Sequence, residues 1–138
     1  MARDPLKVLW RVRDKAVMAA SRDLAAAREA EAHHVGLLGE HCATMRREQE
    51  AAIGPLVAAF IEWLPHARRQ ADGLHRAVQT EQARVAGLQR ALVVRRTEAE
   101  AVSKAISRKE AAAGQVTTRK EQAAMDEAAG RSGALRFA

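Results

Sequence analysis

Residues 78–106 read VQTEQARVAGLQRALVVRRTEAEAVSKAI, and the spacing of their apolar side chains predicts the fold. Apolar residues recur alternately three and four positions apart, and this repeat continues on both sides of the stretch. A sustained average spacing of 3.5 residues is typical of a helix that supercoils against another helix. The predicted contact positions are Val57, Phe60, Leu64, Ala67, Ala71, Leu74, Val78, Glu81, Val85, Leu88, Leu92, Arg95, Ala99, Val102, Ile106, Lys109, Ala113, Val116, Lys120 and Ala123.

The residues AAIGP at 51–55 predict a turn that precedes this helix. Gly54 can end a helix with a left-handed residue, and Pro55 suits the start of the next helix. An earlier helix is expected to begin after Asp4 as N-cap and Pro5 as first helical residue, because both residue types are favoured there. Its apolar positions recur every seven residues, interrupted at Glu31.

These signals predict an all-α fold, in which the whole chain forms a single coiled-coil domain, a long antiparallel two-helix hairpin. The expected bounds are helix one at about 5–50, the turn at about 51–55, helix two at about 56–129 and a frayed tail at 130–138.

The second helix is much longer than the first, so part of it has no partner within the chain. With a turn near residue 52, residue 6 is expected to lie opposite residue 99, and residues 102–129 extend beyond the first helix. The apolar repeat nevertheless continues through this part. Two interpretations remain open: the segment frays or pairs with a second copy, or it inserts into another protein.

Composition limits the classes of protein that this chain can belong to. Its 138 residues include many alanines and four aromatic residues of the Phe and Trp types, which suit a thin seam between helices better than a thick core. The net charge of +6 lies mostly in the second half and suits an acidic partner, although it also suits a solvated basic surface. The single cysteine, Cys42, excludes an internal disulfide. Neither a signal peptide nor a membrane-spanning run is recognised, so a cytoplasmic location is expected.

Signals of catalysis are weak. The sequence has no phosphate-binding loop, no nucleophile motif and no dinucleotide-binding glycine turn. His33, His34 and His41 cluster on the first helix, but they are too few for a metal site that needs several convergent ligands. The charged residues within the predicted seam are interpreted as devices that fix the register or as side chains whose stems are buried while their charges reach water, and these residues are Glu81, Arg95, Lys109 and Lys120. We therefore expect no enzyme activity, no cofactor, no metal and no small-molecule substrate.

The most apolar stretch, IGPLVAAFIEWLPHARR at 53–69, follows the turn. Phe60 and Leu64 fall on the predicted seam, whereas Ile61 and Trp63 fall on its two flanks. The flanking pair has two interpretations, namely packing around the bend or forming an exposed docking patch, since aromatic residues are favoured at protein interfaces. Pro65 removes one backbone hydrogen bond and is expected to kink the helix or mark its first regular turn.

Three stretches resemble the FliJ family of the flagellar type III export apparatus. PLKVLWRVRDKAVMAASRDLAAA at the start resembles the opening helix of that family, FIEWL at 60–64 resembles its aromatic and leucine pair, and EQAAMDEAAGR at 121–131 resembles its C-terminal Glu-Gln-x-x-Met-Asp-Glu element. The last match is the most specific of the three.

The resemblance implies a coiled coil similar to the rotor shaft of rotary ATPases. In that family the tip with both termini inserts into the hexameric export ATPase and promotes ring assembly, the bend docks on the export-gate membrane protein, and export chaperones bind. The implied location is the cytoplasmic side of the inner membrane at the flagellar base. The residues implied for the gate are Phe60, Ile61, Trp63 and Leu64, and those for the ATPase ring are Ile106, Val116, Gln122, Met125, Asp126 and Glu127.

Other functions fit parts of the sequence. A basic nucleic-acid-binding arm would use Arg84, Arg90, Arg95, Arg96, Arg108 and Lys109, but no aromatic residue lies between Trp63 and Phe137 to stack on bases, so no nucleic-acid partner is expected. A generic self-associating scaffold and an injectisome stalk protein are the remaining alternatives.

Overall fold

The computed structural model describes the backbone of residues 3–137 and the side chains of residues 3–134. It contains two α-helices, α1 at Pro5–Ala51 and α2 at Leu56–Phe137, and no strand within the described residues. The helices pack against each other in opposite directions, which confirms the predicted all-α hairpin. Contacts divide the chain into two units, 15–95 and the combination of 1–14 with 96–138.

The ends of α1 are fixed by local chemistry. At its start, the Leu6 backbone N–H donates a hydrogen bond of 3.1 Å to Asp4 Oδ1, which is the side-chain contact of an N-cap. Beyond its end at Ala51, Gly54 in the turn has a φ of 62°, in the left-handed region where side chains are disfavoured. Hydrogen bonds from Leu56 N to the Ile53 carbonyl and from Val57 N to the Gly54 carbonyl then begin α2.

The unit formed by residues 15–95 contains the bend and the best-packed seam. Leu24 and Ala27 of α1 meet Val85 and Leu92 of α2, and all four are buried. Val17, Ala20 and Leu88 pack around them. This core is thin, as the alanine-rich composition requires, because small side chains let the two helices approach closely.

A polar contact supports the seam nearer the bend. His41 Nε2–H donates a hydrogen bond of 2.8 Å to the carbonyl of Ala67, which is itself fully buried. α2 is helical through Pro65, two residues earlier. The histidine side chain therefore links α1 to the backbone of α2 close to the proline.

The other unit contains the start of α1 and the later part of α2. Arg13 Nη1 lies 2.8 Å from Glu98 Oε2, and Lys109 Nζ lies 3.4 Å from Asp4 Oδ1. Val102 and Ile106 are half-buried beside α1, whereas every residue at 107–132 is exposed. We call residues 110–134 the overhang, because α1 does not cover them.

The predicted register needs a correction. Residues 102–129 were expected to extend beyond α1, yet Val102 and Ile106 are half-buried beside it and Lys109 Nζ reaches Asp4, so α1 covers α2 as far as about Ile106. The prediction assumed that paired residues lie level with each other. A long helical side chain instead leans toward the N-terminus of its helix, so the Lys109 ammonium reaches back to Asp4.

The C-terminal part of α2 also differs from the expected bounds. The helix continues to Phe137, whereas a frayed tail was expected from residue 130. Gly130 and Gly133 each disfavour helix by only about 1 kcal/mol relative to alanine. The surrounding alanines and arginine favour helix, so two glycines are insufficient to end it at residue 130.

Candidate functional site

A surface at the bend exposes several large aliphatic side chains. Ile53 is 74% exposed and Ile61 is 60% exposed, and Leu56 and Val57 are exposed beside them. We call these four residues, together with Phe60, Trp63 and Leu64, the bend surface. Ile53 and Ile61 therefore do not pack around the bend.

The aromatic residues of the bend surface are held against each other. The ring centroids of Phe60 and Trp63 are 6.0 Å apart at an interplanar angle of 44°. Both residues are half-buried, and both line a concavity of about 440 Å³. Its other lining residues are Thr44, Glu48, Ala51, Ala52, Leu56 and Ala59. Such a concavity can accept an apolar side chain of a partner, with the Glu48 carboxylate in its lining.

Leu64 lies on a second concavity of α1 and α2. This concavity of about 280 Å³ is lined by Cys42, Met45, Arg46, Gln49, Phe60 and Leu64. Phe60 lines both concavities, so it connects the two parts of the surface. The structure thus brings together the four residues that the resemblance assigned to the gate: Ile61 exposes most of its side chain, and Phe60, Trp63 and Leu64 expose part of theirs.

Sequence reasoning missed Ile53, Leu56 and Val57 as surface residues. Val57 was placed in the seam, but it is 40% exposed. Their position in the sequence could have identified them. Ile53 lies in the turn, and Leu56 and Val57 come directly after it, where the end of the other helix covers little of their surface. The repeat in the sequence therefore begins at Val57, before the first residue of α2 that α1 buries.

The overhang exposes side chains in every direction around α2. Val116 is 51% exposed and Met125 is 63% exposed. They are nine residues apart, which places them on opposite sides of a helix with 3.6 residues per turn. Glu127 is exposed on the same side of the helix as Val116, eleven residues away, whereas Gln122 and Asp126 are exposed in further directions. No single face of this helix holds the residues that the resemblance assigned to the ATPase ring.

Polar groups of the overhang are bonded locally. Arg131 Nη2 lies 2.6 Å from Glu127 Oε1, one helical turn away. The hydroxyls of Thr117 and Thr118 donate hydrogen bonds to the carbonyls of Ala113 and Gly114. All of these contacts lie within α2.

Ile106 is placed differently from the other residues assigned to the ring. It is half-buried and, with Lys7, Trp10, Arg11 and Ser103, lines a concavity of about 350 Å³ where α1 lies beside α2. It therefore belongs to the covered part of α2 and lies before the overhang.

The electrostatics at the start of α1 stabilise a charged carboxylate. The backbone N–H of Leu6 lowers the pKa of Asp4 below its ordinary value of 3.8, and the nearby Lys109 ammonium lowers it further. An ionised Asp4 at the N-terminus of a helix also interacts favourably with the helix dipole.

Two of the three clustered histidines, His34 and His41, make hydrogen bonds to backbone carbonyls. His34 Nδ1–H donates to the Ala30 carbonyl at 2.8 Å, and His41 donates to Ala67 as described above. Among the described residues, no group of three or more His, Cys, Asp or Glu side chains is arranged to hold a metal ion. The described helices also include none that is long and apolar enough to cross a membrane.

One carboxylate oxygen of Glu81, Oε2, is buried without a hydrogen bond in the described part of the chain. Glu81 is half-buried, in keeping with the seam position that the repeat predicted for it.

Comparison with known proteins assigns the family. A family model described as Flagellar FliJ protein matches residues 1–136. The chain belongs to the FliJ family. This confirms the resemblance seen in the three sequence stretches and makes the chain a component of the flagellar type III protein export apparatus. No curated protein and no solved structure matches the chain.

Family membership gives the two surfaces of this FliJ-family protein a context. Members act with other proteins of the export apparatus, so exposed apolar residues in the bend surface and the overhang are candidate contacts with export proteins.

Proposed function

We propose that the protein is a stalk of the export ATPase. The overhang inserts into the hexameric ATPase ring and promotes its assembly. The bend surface docks on the export-gate membrane protein, and the protein thereby couples the ATPase to the gate. Export chaperones bind the same protein. In this proposal it acts without catalysis or cofactor, on the cytoplasmic side of the inner membrane at the flagellar base, to which it is peripherally attached.

The observation that carries the proposal is the overhang itself. A helix that is exposed from 107 to 132 has a large area to bury on a partner. Its apolar and charged side chains face all directions, which suits a partner that surrounds the helix better than one that covers a single face. A ring provides such surroundings.

The bend surface supports the coupling part of the proposal. Exposed aliphatic side chains surround an aromatic pair and a concavity, which is the arrangement of an interface with a central anchor. The residues proposed for the gate are Phe60, Ile61, Trp63 and Leu64, with Ile53, Leu56 and Val57 added by their exposure.

Stimulation of the cognate export ATPase tests the overhang. Met125→Glu is expected to reduce stimulation by at least about tenfold, because a charge then replaces an apolar contact of about 2 kcal/mol. Met18→Glu is the matched control, since Met18 is 51% exposed on α1, and it should stimulate normally. Equal stimulation by both variants would contradict insertion of the overhang.

Binding to the soluble domain of the gate protein tests the bend surface. Ile61→Asp is expected to weaken binding by about tenfold or more, as charge introduced into an apolar interface does. Val35→Asp changes an exposed valine of α1 in the same way and should bind normally. Helicity measured by circular dichroism should be equal in both. Unchanged affinity of Ile61→Asp would remove the bend surface from the proposal.

A further inference from the structure

We propose that, in the absence of other partners, the overhang of one chain pairs antiparallel with the overhang of a second copy. In this dimer Arg119 lies beside Asp126 of the second copy, and Glu110 lies beside Arg131 of the second copy. The proposal concerns the isolated protein and does not rest on the ATPase assignment.

The first support is the continued seam repeat. The three-and-four spacing that buries residues on α2 beneath α1 continues into the overhang, where every member is exposed. These core-type positions are Ala113, Val116, Lys120, Ala123, Glu127 and Gly130. A repeat of this kind specifies a face for a second helix, and no part of α1 extends far enough to supply one.

Charge complementarity identifies the second helix as a copy of the same segment. In an antiparallel coiled coil, the positions beside the core on one side of the interface face their own equivalents on the partner helix. Placing Lys120 level with Ala123 of the second copy makes Arg119 face Asp126. It also makes Glu110 face Arg131 on the other side. Two-fold symmetry repeats each pair, so four opposite-charge pairs flank the core.

The same register balances the charges within the core. Lys120 and Glu127 of the second copy are offset by about four residues, or about 6 Å along the axis, a separation that two long side chains can span. The apolar Val116 lies level with the methylene stem of Glu127, and Ala113 lies level with Gly130. The two Lys120 residues lie about three residues, or about 4.5 Å, apart along the axis, so each ammonium turns toward Glu127 of the second copy and away from the other lysine.

Alternative registers bring like charges together. A shift of one heptad in one direction places Arg119 beside Arg119 of the second copy, and a shift in the other places Asp126 beside Asp126. A parallel, in-register pair places Lys120 against Lys120 and Glu127 against Glu127 in the core. Like charges at such flanking positions are destabilising, whereas the antiparallel register with Lys120 level with Ala123 has four opposite-charge flanking pairs, so this register is selected.

The local ion pair of the overhang does not prevent this arrangement. Arg131 and Glu127 contact each other in the single chain, but both side chains are mostly exposed. The arginine can therefore turn to Glu110 of a second copy at little cost, since exposed ion pairs contribute weakly to stability. The dimer would cover the residues that the proposed ATPase ring requires, so ring and dimer would compete.

Sedimentation equilibrium of the full chain tests the dimer. The expected mass is twice 15.0 kDa at high concentration, falling to 15.0 kDa on dilution. Raising the salt concentration should weaken the association, because the pairs that flank the core are exposed and screened. A mass of 15.0 kDa at all concentrations up to about 300 µM would overturn the proposal.

Charge reversal tests the register. Arg119→Asp and Asp126→Arg should each raise the dissociation constant about tenfold or more, since each creates two like-charge contacts by symmetry. The double variant should return it to within about threefold of the original value. Arg22→Asp and Asp23→Arg are matched controls at exposed positions of α1 and should have no effect. Equal effects of the Arg119 and Arg22 variants, or no recovery in the double variant, would overturn the assigned register.

A distance measurement tests the direction. Spin labels on Ala111→Cys in a Cys42→Ala background should lie about 32 Å apart in the antiparallel dimer. In this register residue 111 of one copy lies level with residue 132 of the other, so the two labelled positions are separated by about 21 residues along the axis. A parallel dimer would place the labels next to each other, and that result would overturn the proposal.

Discussion

The Lys109 ammonium lies 3.4 Å from the Asp4 carboxylate, and this contact marks where α1 ceases to cover α2. Ile106, three residues before Lys109, is half-buried, whereas the residues after it are exposed as far as 132. The Asp4 carboxylate also accepts a hydrogen bond from the Leu6 backbone N–H, so one side chain both caps α1 and contacts α2. The boundary between the covered and uncovered parts of α2 is thus set at the first turn of α1.

The lowered pKa of Asp4 predicts acid sensitivity at this boundary. Since the folded pKa lies below the ordinary 3.8, the stabilisation is present above 3.8 and is lost as pH falls through the folded value. Asp4→Asn keeps a capping side chain but removes the charge, so it should reduce the pH dependence in that range. An NMR titration of the Asp4 carboxyl measures the effect directly. Asp23→Asn is the control, and a measured Asp4 pKa of 3.8 or higher would contradict the assignment.

The buried position of Ala27 predicts a steric requirement in the seam. Ala27 is 0% exposed between the helices, whereas its neighbour Ala26 is exposed. Ala27→Leu should lower the free energy of unfolding by about 1–3 kcal/mol, because a larger side chain separates the helices. Ala26→Leu makes the same chemical change on the outer face and should stay within about 0.5 kcal/mol. Thermal unfolding followed by circular dichroism compares them, and equal melting temperatures would refute close packing at this site.

The unpaired oxygen of Glu81 predicts a stabilising substitution. Glu81→Leu removes a buried acceptor that has no hydrogen bond and adds apolar contact in the seam. The free energy of unfolding should rise by about 1 kcal/mol or more, since an unsatisfied buried polar group is destabilising. Glu100→Leu, at an exposed position of α2, serves as the control and should change it little. Chemical denaturation provides the measurement, and a loss of stability in Glu81→Leu would show that the carboxylate has a stabilising role.

The hydrogen bond of His41 predicts a local contribution near the bend. His41→Ala removes the donor to the Ala67 carbonyl and should cost about 1 kcal/mol of unfolding free energy. His75→Ala alters an exposed histidine of α2 and is expected to be neutral. Amide hydrogen exchange at residues near Ala67 should increase in the His41 variant alone. Unaltered exchange and stability would mean that this hydrogen bond contributes nothing.

Most of the secondary structure could be predicted from local signals. The alternation of three and four residues predicted α2 as a seam helix, and Val78, Val85 and Leu92 are buried as it required. Gly54 adopts the left-handed φ that its place before Pro55 suggested. These features depend on the chemistry of a few neighbouring residues, so they can be read without knowing what lies across the seam.

The exposure of the candidate contact residues could be predicted only in part. Ile61 is exposed as a flanking position, but Phe60 and Leu64 lie partly in the seam and partly on the surface, and Val57 is 40% exposed although the repeat placed it in the seam. Periodicity identifies which side of a helix faces a partner. It does not state where along the helix that partner begins.

The sequence by itself determined two helices, the turn between them and the face of each helix that is buried, because helical periodicity and turn chemistry are local properties. Only the tertiary structure decided that α1 reaches Lys109, that Ile106 is covered and that Glu81 retains a buried oxygen without a hydrogen bond. The physical reason is that a seven-residue repeat is compatible with several offsets between two helices. Side-chain lengths and packing across the seam select one of those offsets, and that selection sets the length of the overhang.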